Sequence, residues 1–409
     1  MGKGTTESMS DHMLTSIDPL IVLNGNVVLP NEVVQAAVAV KDGLIEAVLS
    51  DAADIEEWLR IHPKATILDA QQRYVLPGLI DIHCDAIEKE VQPRPNTLFP
   101  LNMALLEFER KLPVHGITTM YHSLSLGVGL SLRGDHLLTG MVEHIHGYRS
   151  RRSMIRNRIH LRFEMSHLAG MPIVERYLKE KTIDYLSFMD HSPGQGQYRE
   201  PGSFERYVMK NQGVNADEVR IIVEELIERR QQVNREHLLR LSSLAAANGI
   251  AIASHDDDSV KQVEESIELG VSVCEFPINL ETAIHAVSKG LRVCVGAPNV
   301  VRGVSHDKNM RAVDAIHAGA ADILCSDYHP SSMLAAVFKL FDEGTAALPA
   351  AVRMATLHPA EALGADSELG SIESGKAADL IVVGRYDNLP WVTSAIVGGK
   401  PVYAAAVRY

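Results

Sequence analysis

The strongest constraint on the fold of this chain is a series of short apolar runs, rich in β-branched residues, that alternate with longer stretches of helical spacing. Within each run the residues are mainly apolar rather than alternately apolar and polar, as expected for parallel strands buried on both faces. The eight runs lie at residues 75–82, 116–123, 159–165, 185–189, 250–254, 271–275, 291–295 and 323–326. They predict an α/β fold, a (β/α)8 barrel of the TIM type, with an open doubly wound sheet as the alternative.

The clearest helical stretch runs from Asn215 to Asn248. Asn215 is suited to cap its first turn, because Glu218 stands three positions further on. Gly249 is placed to end the helix directly before the next strand. We therefore predict one long helix over residues 215–248.

The two ends of the chain have a different pattern. Two short β runs fall between residues 20 and 50, with Asp42-Gly43 as a hairpin signal, and three more fall at 378–383, 392–397 and 401–407. We expect strands from both ends to pair into one small β domain, formed by residues 19–75 and 366–409. The barrel would then occupy residues 76–365, and residues 1–18 would be a disordered leader.

Composition excludes several classes of protein. The net charge of −13 argues against a nucleic-acid partner, and no apolar run reaches the roughly 18 residues of a membrane span. The first residues lack the apolar core of a signal peptide. The four cysteines, at positions 84, 274, 294 and 325, have no metal-finger spacing and are expected to be buried free thiols in the cytoplasm. Five arginines within 149–158 predict a solvated helix face or a subunit interface, which leaves a homo-oligomer open.

Polar residues stand at the ends of the predicted strands. Functional groups of a barrel lie at the carboxyl ends of its strands. The groups found there are three histidines and three carboxylates: His83, Asp85, Glu164, His191, His255 and Asp327. Their convergence predicts a divalent-metal site, which suits zinc first and also manganese or iron. A bridging carboxylate would allow two ions about 3.5–4 Å apart instead of one.

Each of these residues also has a purely structural interpretation. A strand-end histidine is often a hydrogen-bonded core residue, Asp257 and Asp258 are suited to cap the next helix, and Asp327 is suited to a turn before Pro330. The metal site is favoured because all six candidates occur at predicted strand ends.

Three stretches of the chain resemble the amidohydrolase superfamily. Residues 76–83 (LPGLIDIH) resemble its first barrel strand. Residues 356–360 (TLHPA) and 370–380 (GSIESGKAADL) resemble its return into a small β domain. The resemblance extends over nearly the whole chain, and it implies a metal-dependent hydrolase.

Shorter segments are similar to one branch of that superfamily, the α-D-ribose 1-methylphosphonate 5-triphosphate diphosphatases of the carbon–phosphorus lyase pathway. They lie at residues 83–85, 88, 93–95, 190–197, 254–257, 275–277, 296–299 and 302–303. This resemblance implies a phosphorylated sugar as substrate and release of pyrophosphate during phosphonate catabolism.

The resemblance also implies individual roles. His83 and Asp85 would hold a first ion, and Glu164 would bridge two ions or ligate one. His191 and His255 would complete the ligand shell. Asp327 matches a last-strand aspartate that binds metal and accepts the proton of the attacking water, whose pKa a metal lowers to about 7. The first strand carries His-x-Asp instead of the usual His-x-His, and no lysine replaces the superfamily's carboxylated lysine, so the number of ions is open.

A triphosphate on an acidic protein requires local cations. Candidates in the loops after the strands are Arg94, Arg302 and His306 for phosphate, and Gln195, Gln197 and Asn299 for other polar groups of the substrate. Two alternatives remain: a hydrolase or deaminase acting on a C–N bond of a small cyclic substrate, and a scaffold that has lost catalysis. Several loop cations favour the polyphosphate over an amide, and the full set of candidate ligands counts against the inactive scaffold.

Overall fold

The structure is a computed structural model, and it describes residues 17–94, 97–127, 135–196, 202, 204–205, 209, 216–305 and 309–406. The strands of these residues, in chain order, are β1 (Leu20–Val28), β2 (Val33–Lys41), β3 (Leu44–Leu49), β4 (Thr66–Asp69), β5 (Tyr74–Pro77), β6 (Leu79–Cys84), β7 (Ile117–Leu126), β8 (Arg156–Glu164), β9 (Tyr185–Met189), β10 (Ala251–His255), β11 (Val273–Glu275), β12 (Arg292–Gly296), β13 (Ile323–Cys325), β14 (Leu380–Tyr386), β15 (Leu389–Val397) and β16 (Lys400–Ala404).

Helices connect the strands. The α-helices are Ala52–Ile61, Ile87–Val91, Leu101–Lys111, Asp135–Arg149, Met171–Lys179, Ala216–Gln231, Arg235–Ala247, Val260–Glu268, Leu280–Ser288, Ala297–Arg302, Ala312–His317, Ser332–Asp342, Leu348–Arg353 and Leu357–Ala362, and 3₁₀ turns lie at Pro113–His115 and Leu168–Gly170. No described helix has both the length and the apolar character needed to cross a membrane.

The central sheet is an eight-stranded parallel barrel. Strands β6 to β13 pair in sequence order, each parallel to the next. The seam between the first and last strands is joined by a parallel bridge between Cys84 and Asp327. Asp81 also accepts a hydrogen bond from the backbone N–H of Ser326 at 3.0 Å. These contacts confirm the (β/α)8 barrel and exclude the open doubly wound sheet.

The predicted strand over residues 75–82 is wrong as one element. It is two strands in different sheets, β5 and β6, and the chain passes between them at Gly78. A Cβ on Gly78 would lie 2.1 Å from Oγ1 of Thr118, so only glycine fits there. A continuous apolar run cannot reveal this break, because both halves are buried.

Both ends of the chain contribute to a second, mostly antiparallel sheet. Its strand order is β16-β15-β14-β5-β1-β2-β3, with β4 beside β1. The segment before residue 50 supplies three strands rather than two runs, and Asp42-Gly43 forms the hairpin between β2 and β3. Both residues have positive φ, 53° and 81°, as the tight turn of such a hairpin requires.

The long helix predicted over 215–248 is also wrong. The structure has two helices, Ala216–Gln231 and Arg235–Ala247, and Asn215 lies outside the described residues. The second helix is capped by Asn234, whose side chain accepts from the backbone N–H of Glu236 at 2.8 Å. Gly249 follows that helix with φ of +70°, so the predicted stop is confirmed.

Two side-chain expectations have clear outcomes. All four cysteines lie in the described part of the chain, and each is buried with a free thiol, as predicted. The arginines of residues 149–158 are more than a solvated face. Arg149 and Arg158 both pair with Asp184, and Arg156 forms two hydrogen bonds to Asp379 at 2.8 and 3.1 Å. Arg156 therefore ties the barrel to the residue preceding β14.

Candidate metal centre

Strand β8 carries three polar side chains on one face. His160, Arg162 and Glu164 are 0%, 5% and 7% exposed. Alternate residues of a strand point to the same side, so the three side chains share one side of β8. Two of them are charged, and burying a charge requires a partner or a function. This face of β8 therefore belongs to the site.

Three residues that follow strands adopt a left-handed backbone. Asp256, Phe276 and Asp327 have φ of 59°, 54° and 59°, a region that residues other than glycine seldom occupy. Each donates its N–H to a carbonyl of a neighbouring strand at 2.8–2.9 Å. Such backbone strain costs on the order of 1–3 kcal/mol per residue and is concentrated at functional sites.

Glu164, His191, His255 and Asp256 form what we call the mouth group. Nδ1 of His191 lies 3.3 Å from Glu164 Oε2, and its Nε2 lies 3.8 Å from Asp256 Oδ2. That same Asp256 oxygen lies 3.6 Å from Nε2 of His255. Burial opposes protonation of His191, but its hydrogen bonds to Asp256 and Glu164 outweigh this and raise the pKa of the imidazole.

A second group, which we call the deeper group, consists of the fully buried residues His83, His160 and Glu275. Nδ1 of His83 lies 3.0 Å from Glu275 Oε2, and the His83 ring stacks on His255 with centroids 5.3 Å apart. Among the described residues, that His83 nitrogen has no hydrogen-bond partner of acceptable geometry. Burial and the charge of Arg162 lower the pKa of His83 and of His255 well below its usual value. Both imidazoles are therefore neutral, which is the form that ligates metals.

The deeper group is already hydrogen-bonded within the protein. Glu275 accepts from the hydroxyls of Tyr185 and Ser187 at 3.1 and 3.0 Å, and Nδ1 of His160 contacts the hydroxyl of Ser123 at 3.0 Å. One nitrogen or carboxylate atom from each of His191, His255 and Asp256 lies within 4.8 Å of the others, as is also true of His83, His160 and Glu275. Of the two carboxylates in the mouth group, only Glu164 has a hydroxyl partner among the described residues, Ser166 at 3.3 Å. The two imidazoles and two carboxylates of the mouth group therefore fit a divalent ion better than the deeper group does.

Asp85 and Asp327 stand across the seam of the barrel. The backbone N–H of Asp85 donates to the Asp327 carbonyl, and that of Asp327 donates to the His83 carbonyl, both at 2.8 Å. Burial, and then the negative charge of Asp85, raises the pKa of the Asp327 carboxyl to about 7. The two carboxylates thus face the same enclosed space.

The structure brings all six sequence-predicted ligands to the same end of the barrel. Four other polar residues at the site were given no role by the sequence: His160, Arg162, Asp256 and Glu275. The signal available for two of them was the spacing of His160, Arg162 and Glu164, because charged residues at alternate positions of a buried strand share a face. The helix cap expected of Asp257 or Asp258 is wrong. Ser259 caps the helix Val260–Glu268 by accepting from the N–H of Gln262.

A cavity of about 540 Å³ opens beside the mouth group. His255 and Asp256 are among its lining residues. Gln195, for which the sequence predicts contact with the substrate, lines it. Three cations that the sequence did not single out line it too: Arg230, Arg235 and Lys261. Arg230 donates to Asp190 at 2.7 Å and Lys261 lies 3.3 Å from Glu265, so the cavity wall carries charges of both signs.

The other predicted substrate residues are placed as follows. Arg94 and Arg302 are exposed, and Arg302 ends the short helix after β12. The amide of Asn299 is used within the protein, because it donates to the Met310 carbonyl and accepts from the N–H of Ala312. Gln197 and His306 lie outside the described residues.

A barrel whose mouth gathers imidazoles and carboxylates defines a class of metal-dependent hydrolase. The model of the amidohydrolase family matches residues 208–402. The chain is 34% identical over 392 residues to the α-D-ribose 1-methylphosphonate 5-triphosphate diphosphatase of Escherichia coli (strain K12), covering 94% of this chain and 100% of that protein. The chain therefore belongs to the amidohydrolase family.

Solved structures with the same fold include two hydrolases. The L-hydantoinase from Arthrobacter aurescens has a TM-score of 0.62 and 16% identity, covering 94% of this chain and 96% of that one. The N-acetylglucosamine-6-phosphate deacetylase from Pasteurella multocida has a TM-score of 0.55 and 16% identity, covering 94% and 99%. At this identity the likeness shows the fold alone.

Proposed function

We propose that this enzyme hydrolyses a phosphoanhydride bond of α-D-ribose 1-methylphosphonate 5-triphosphate and releases pyrophosphate. The observation that carries the proposal is the similarity to the Escherichia coli diphosphatase along essentially the full length of both chains. The geometry supports it, because candidate ligands, an aspartate at the last strand and a cation-containing cavity lie at one end of the barrel.

The metal ligands in this proposal come from the six predicted residues together with Asp256. The mouth group lies on one side of the site, and His83, Asp85 and Asp327 lie on the other. When bound, a divalent ion, zinc in the first instance, lowers the pKa of water and neutralises charge on a phosphoryl oxygen. The chain itself contributes the orientation of these groups, which the strained backbone at Asp256 and Asp327 holds in place.

Asp327 is proposed to accept the proton of the attacking water. Its carboxylate is half-buried at the seam, near Asp85, and its backbone is hydrogen-bonded to those of His83 and Asp85. A base held in this way needs little reorganisation when the water attacks. The proton can then return from Asp327 to the departing pyrophosphate.

The substrate is proposed to reach the mouth group through the 540 Å³ cavity. Gln195 offers an amide to sugar hydroxyls, and Arg230 and Lys261 offer positive charge along the wall. Arg302, at the end of a helix that directly follows β12, offers a further guanidinium. Arg94 is the remaining described candidate for phosphate.

A product assay tests this function. Purified protein loaded with Zn²⁺ or Mn²⁺ is supplied with the ribose triphosphate, and pyrophosphate, orthophosphate and ammonia are measured. We expect one pyrophosphate per turnover; orthophosphate as the first product would contradict the proposal. A parallel reaction with a cyclic amide tests the C–N alternative, and ammonia or ring opening there, without pyrophosphate release, would favour it.

The role of Arg302 is tested separately. Replacing it with alanine is expected to raise KM for the triphosphate about tenfold, because one charge-assisted contact to phosphate is lost. Arg385→Ala is the matched control, because Arg385 pairs with Asp342 away from the mouth residues. An equal rise in KM for an uncharged ester would remove Arg302 from phosphate binding.

A further inference from the structure

Arg162 is a buried cation that the proposed chemistry does not use. Its side chain is 6% exposed, and it projects from β8 into the space between the two sides of the candidate ligand set. One terminal nitrogen lies 2.9 Å from Nε2 of His255, and the other lies 4.0 Å from Oδ2 of Asp85. The guanidinium thus stands where a second metal ion would have to be.

We propose that the guanidinium of Arg162 replaces a second metal ion beside Asp85 and Asp327, so that the chain binds one divalent ion, in the mouth group. This inference rests on the metal centre of the proposed function. It concerns the number of ions bound per chain and the group that occupies the position of a second ion.

The first argument is chemical. A guanidinium keeps its charge at every pH at which a protein is folded, and it only donates hydrogen bonds. The guanidinium contacts Nε2 of His255 at 2.9 Å and lies 4.0 Å from Oδ2 of Asp85, so an ion bound between these two residues would have to displace it. The same contact occupies Nε2 of His255, so the single ion of the mouth group is held by Glu164, His191 and Asp256. Two cations side by side in a buried space would also repel each other strongly.

The second argument concerns the ligands that a second ion would need. His83 turns its Nδ1 toward Glu275, 3.0 Å away, and Asp85 faces the guanidinium. The positive charge of Arg162 also lowers the pKa of Asp327, which the negative charge of Asp85 raises. The carboxylates on this side therefore already have a counter-ion, whereas Glu164 and Asp256 in the mouth group form ion pairs only with histidines among the described residues.

The third argument is an open donor. Nε of Arg162 is buried and has no hydrogen-bond partner among the described residues. A buried donor of this kind is costly unless a ligand satisfies it. A phosphoryl oxygen of the substrate would accept this hydrogen bond. An arginine that served only to form a salt bridge would not need such an open donor.

The experiment measures bound Mn²⁺ without substrate. Metal-free protein is reconstituted with excess Mn²⁺ and desalted, the ions per chain are counted by elemental analysis, and electron paramagnetic resonance reports whether the ions are coupled. Wild type is expected to hold one uncoupled ion. Arg162→Met is expected to hold two, with the spectrum of a coupled pair.

Arg158→Met is the matched control, because Arg158 lies on the same strand but pairs with Asp184. It should hold one ion, like wild type. Arg162→Lys, which keeps the charge, should also hold one. If Arg162→Met does not fold, Arg162→Gln removes the charge while keeping a donor, and it should hold two.

Two ions in wild type would overturn the inference, as would a single ion in a folded variant that lacks the charge. Two ions in Arg162→Lys would show that charge at this position does not exclude the second ion. Because no substrate is present, these outcomes are independent of whether the enzyme releases pyrophosphate.

Discussion

Asp327 combines a strained backbone with a half-buried carboxyl group. Its φ is +59°, and its backbone forms hydrogen bonds with those of His83 and Asp85 across the seam. Its side chain remains near other acidic groups. Neither feature favours folding by itself. Their coincidence at one residue is what a functional site selected at the expense of stability would show.

We expect Asp327→Asn to lower kcat by about 10²–10⁴-fold, because the amide cannot accept a proton. The fold should be kept, since asparagine also tolerates a left-handed backbone. Steady-state kinetics and thermal unfolding measure the two effects. Asp342→Asn, at the end of an outer helix, is the control and should retain activity; wild-type kcat in Asp327→Asn would end the proposed role.

His122 is a buried histidine outside the metal centre. Its Nε2 contacts the Asn157 amide oxygen at 2.7 Å, and its Nδ1 is buried with no hydrogen-bond partner among the described residues. Burial lowers the pKa of His122 to about 4, whereas an unfolded histidine titrates near 6.5. The ring is therefore neutral in the folded protein above about pH 4.

This difference makes folding pH-dependent. Below pH 6.5 the unfolded chain binds a proton at this residue that the folded chain does not, so stability falls as the pH decreases toward 4. His122→Gln should remove about 3 kcal/mol of that dependence between pH 6.5 and 4, while keeping a donor toward Asn157. Urea unfolding across this range measures it, and an unchanged slope in the variant would contradict the assignment.

At the scale of elements, the seam between β6 and β13 decides whether the barrel closes. Asp81 is fully buried, and its Oδ1 accepts from the N–H of Ser326 at 3.0 Å and of His83 at 3.3 Å. One carboxylate oxygen thus connects the first strand to the residue after the last. This seam also carries His83 and Asp327, so its closure positions part of the candidate site.

Asp81→Ala should destabilise the protein by about 1–3 kcal/mol, because it leaves two buried backbone donors without their acceptor. Asp81→Asn keeps an oxygen acceptor and should lose clearly less. Chemical denaturation of both variants measures the difference. Equal losses would mean that the carboxylate contributes through its charge or volume rather than through these bonds.

Elements also show where sequence patterns are too coarse. The apolar run over 75–82 predicts a strand correctly, but not that Gly78 divides it between two sheets. The helical spacing over 215–248 predicts helix, but the cap at Asn234 that starts a second helix is a single polar residue within that pattern. In both places periodicity continues across a break that packing imposes.

At the scale of the whole molecule, the candidate metal centre brings together strands that are distant in sequence. The mouth group draws on β8 to β10 and the residues that follow them, and Asp327 follows β13. An ion bound there holds together groups that an unfolded chain would separate. Binding should therefore stabilise the whole fold and not only the site.

Removal of the metal by a chelator should lower Tm, and Zn²⁺ or Mn²⁺ should restore it. Free metal at 100 times its Kd contributes about 2.7 kcal/mol, which corresponds to roughly 3 °C for a chain of this size. Differential scanning fluorimetry measures the shift. His191→Ala should lose most of it, and a metal-induced rise of the same size in that variant would place the ion elsewhere.

The amino-acid sequence by itself determined the alternation of strands and helices, the residues at the strand ends and the hairpin at Asp42-Gly43, because these depend on local spacing and turn chemistry. Only the tertiary structure decided which interior residues join them. Arg162 lies within a strand and Glu275 at the end of another. The contact of Arg162 with His255 and that of Glu275 with His83 form only when the sheet is assembled. Polar groups from separate strands meet by closure of the sheet, and a linear pattern carries no record of that distance.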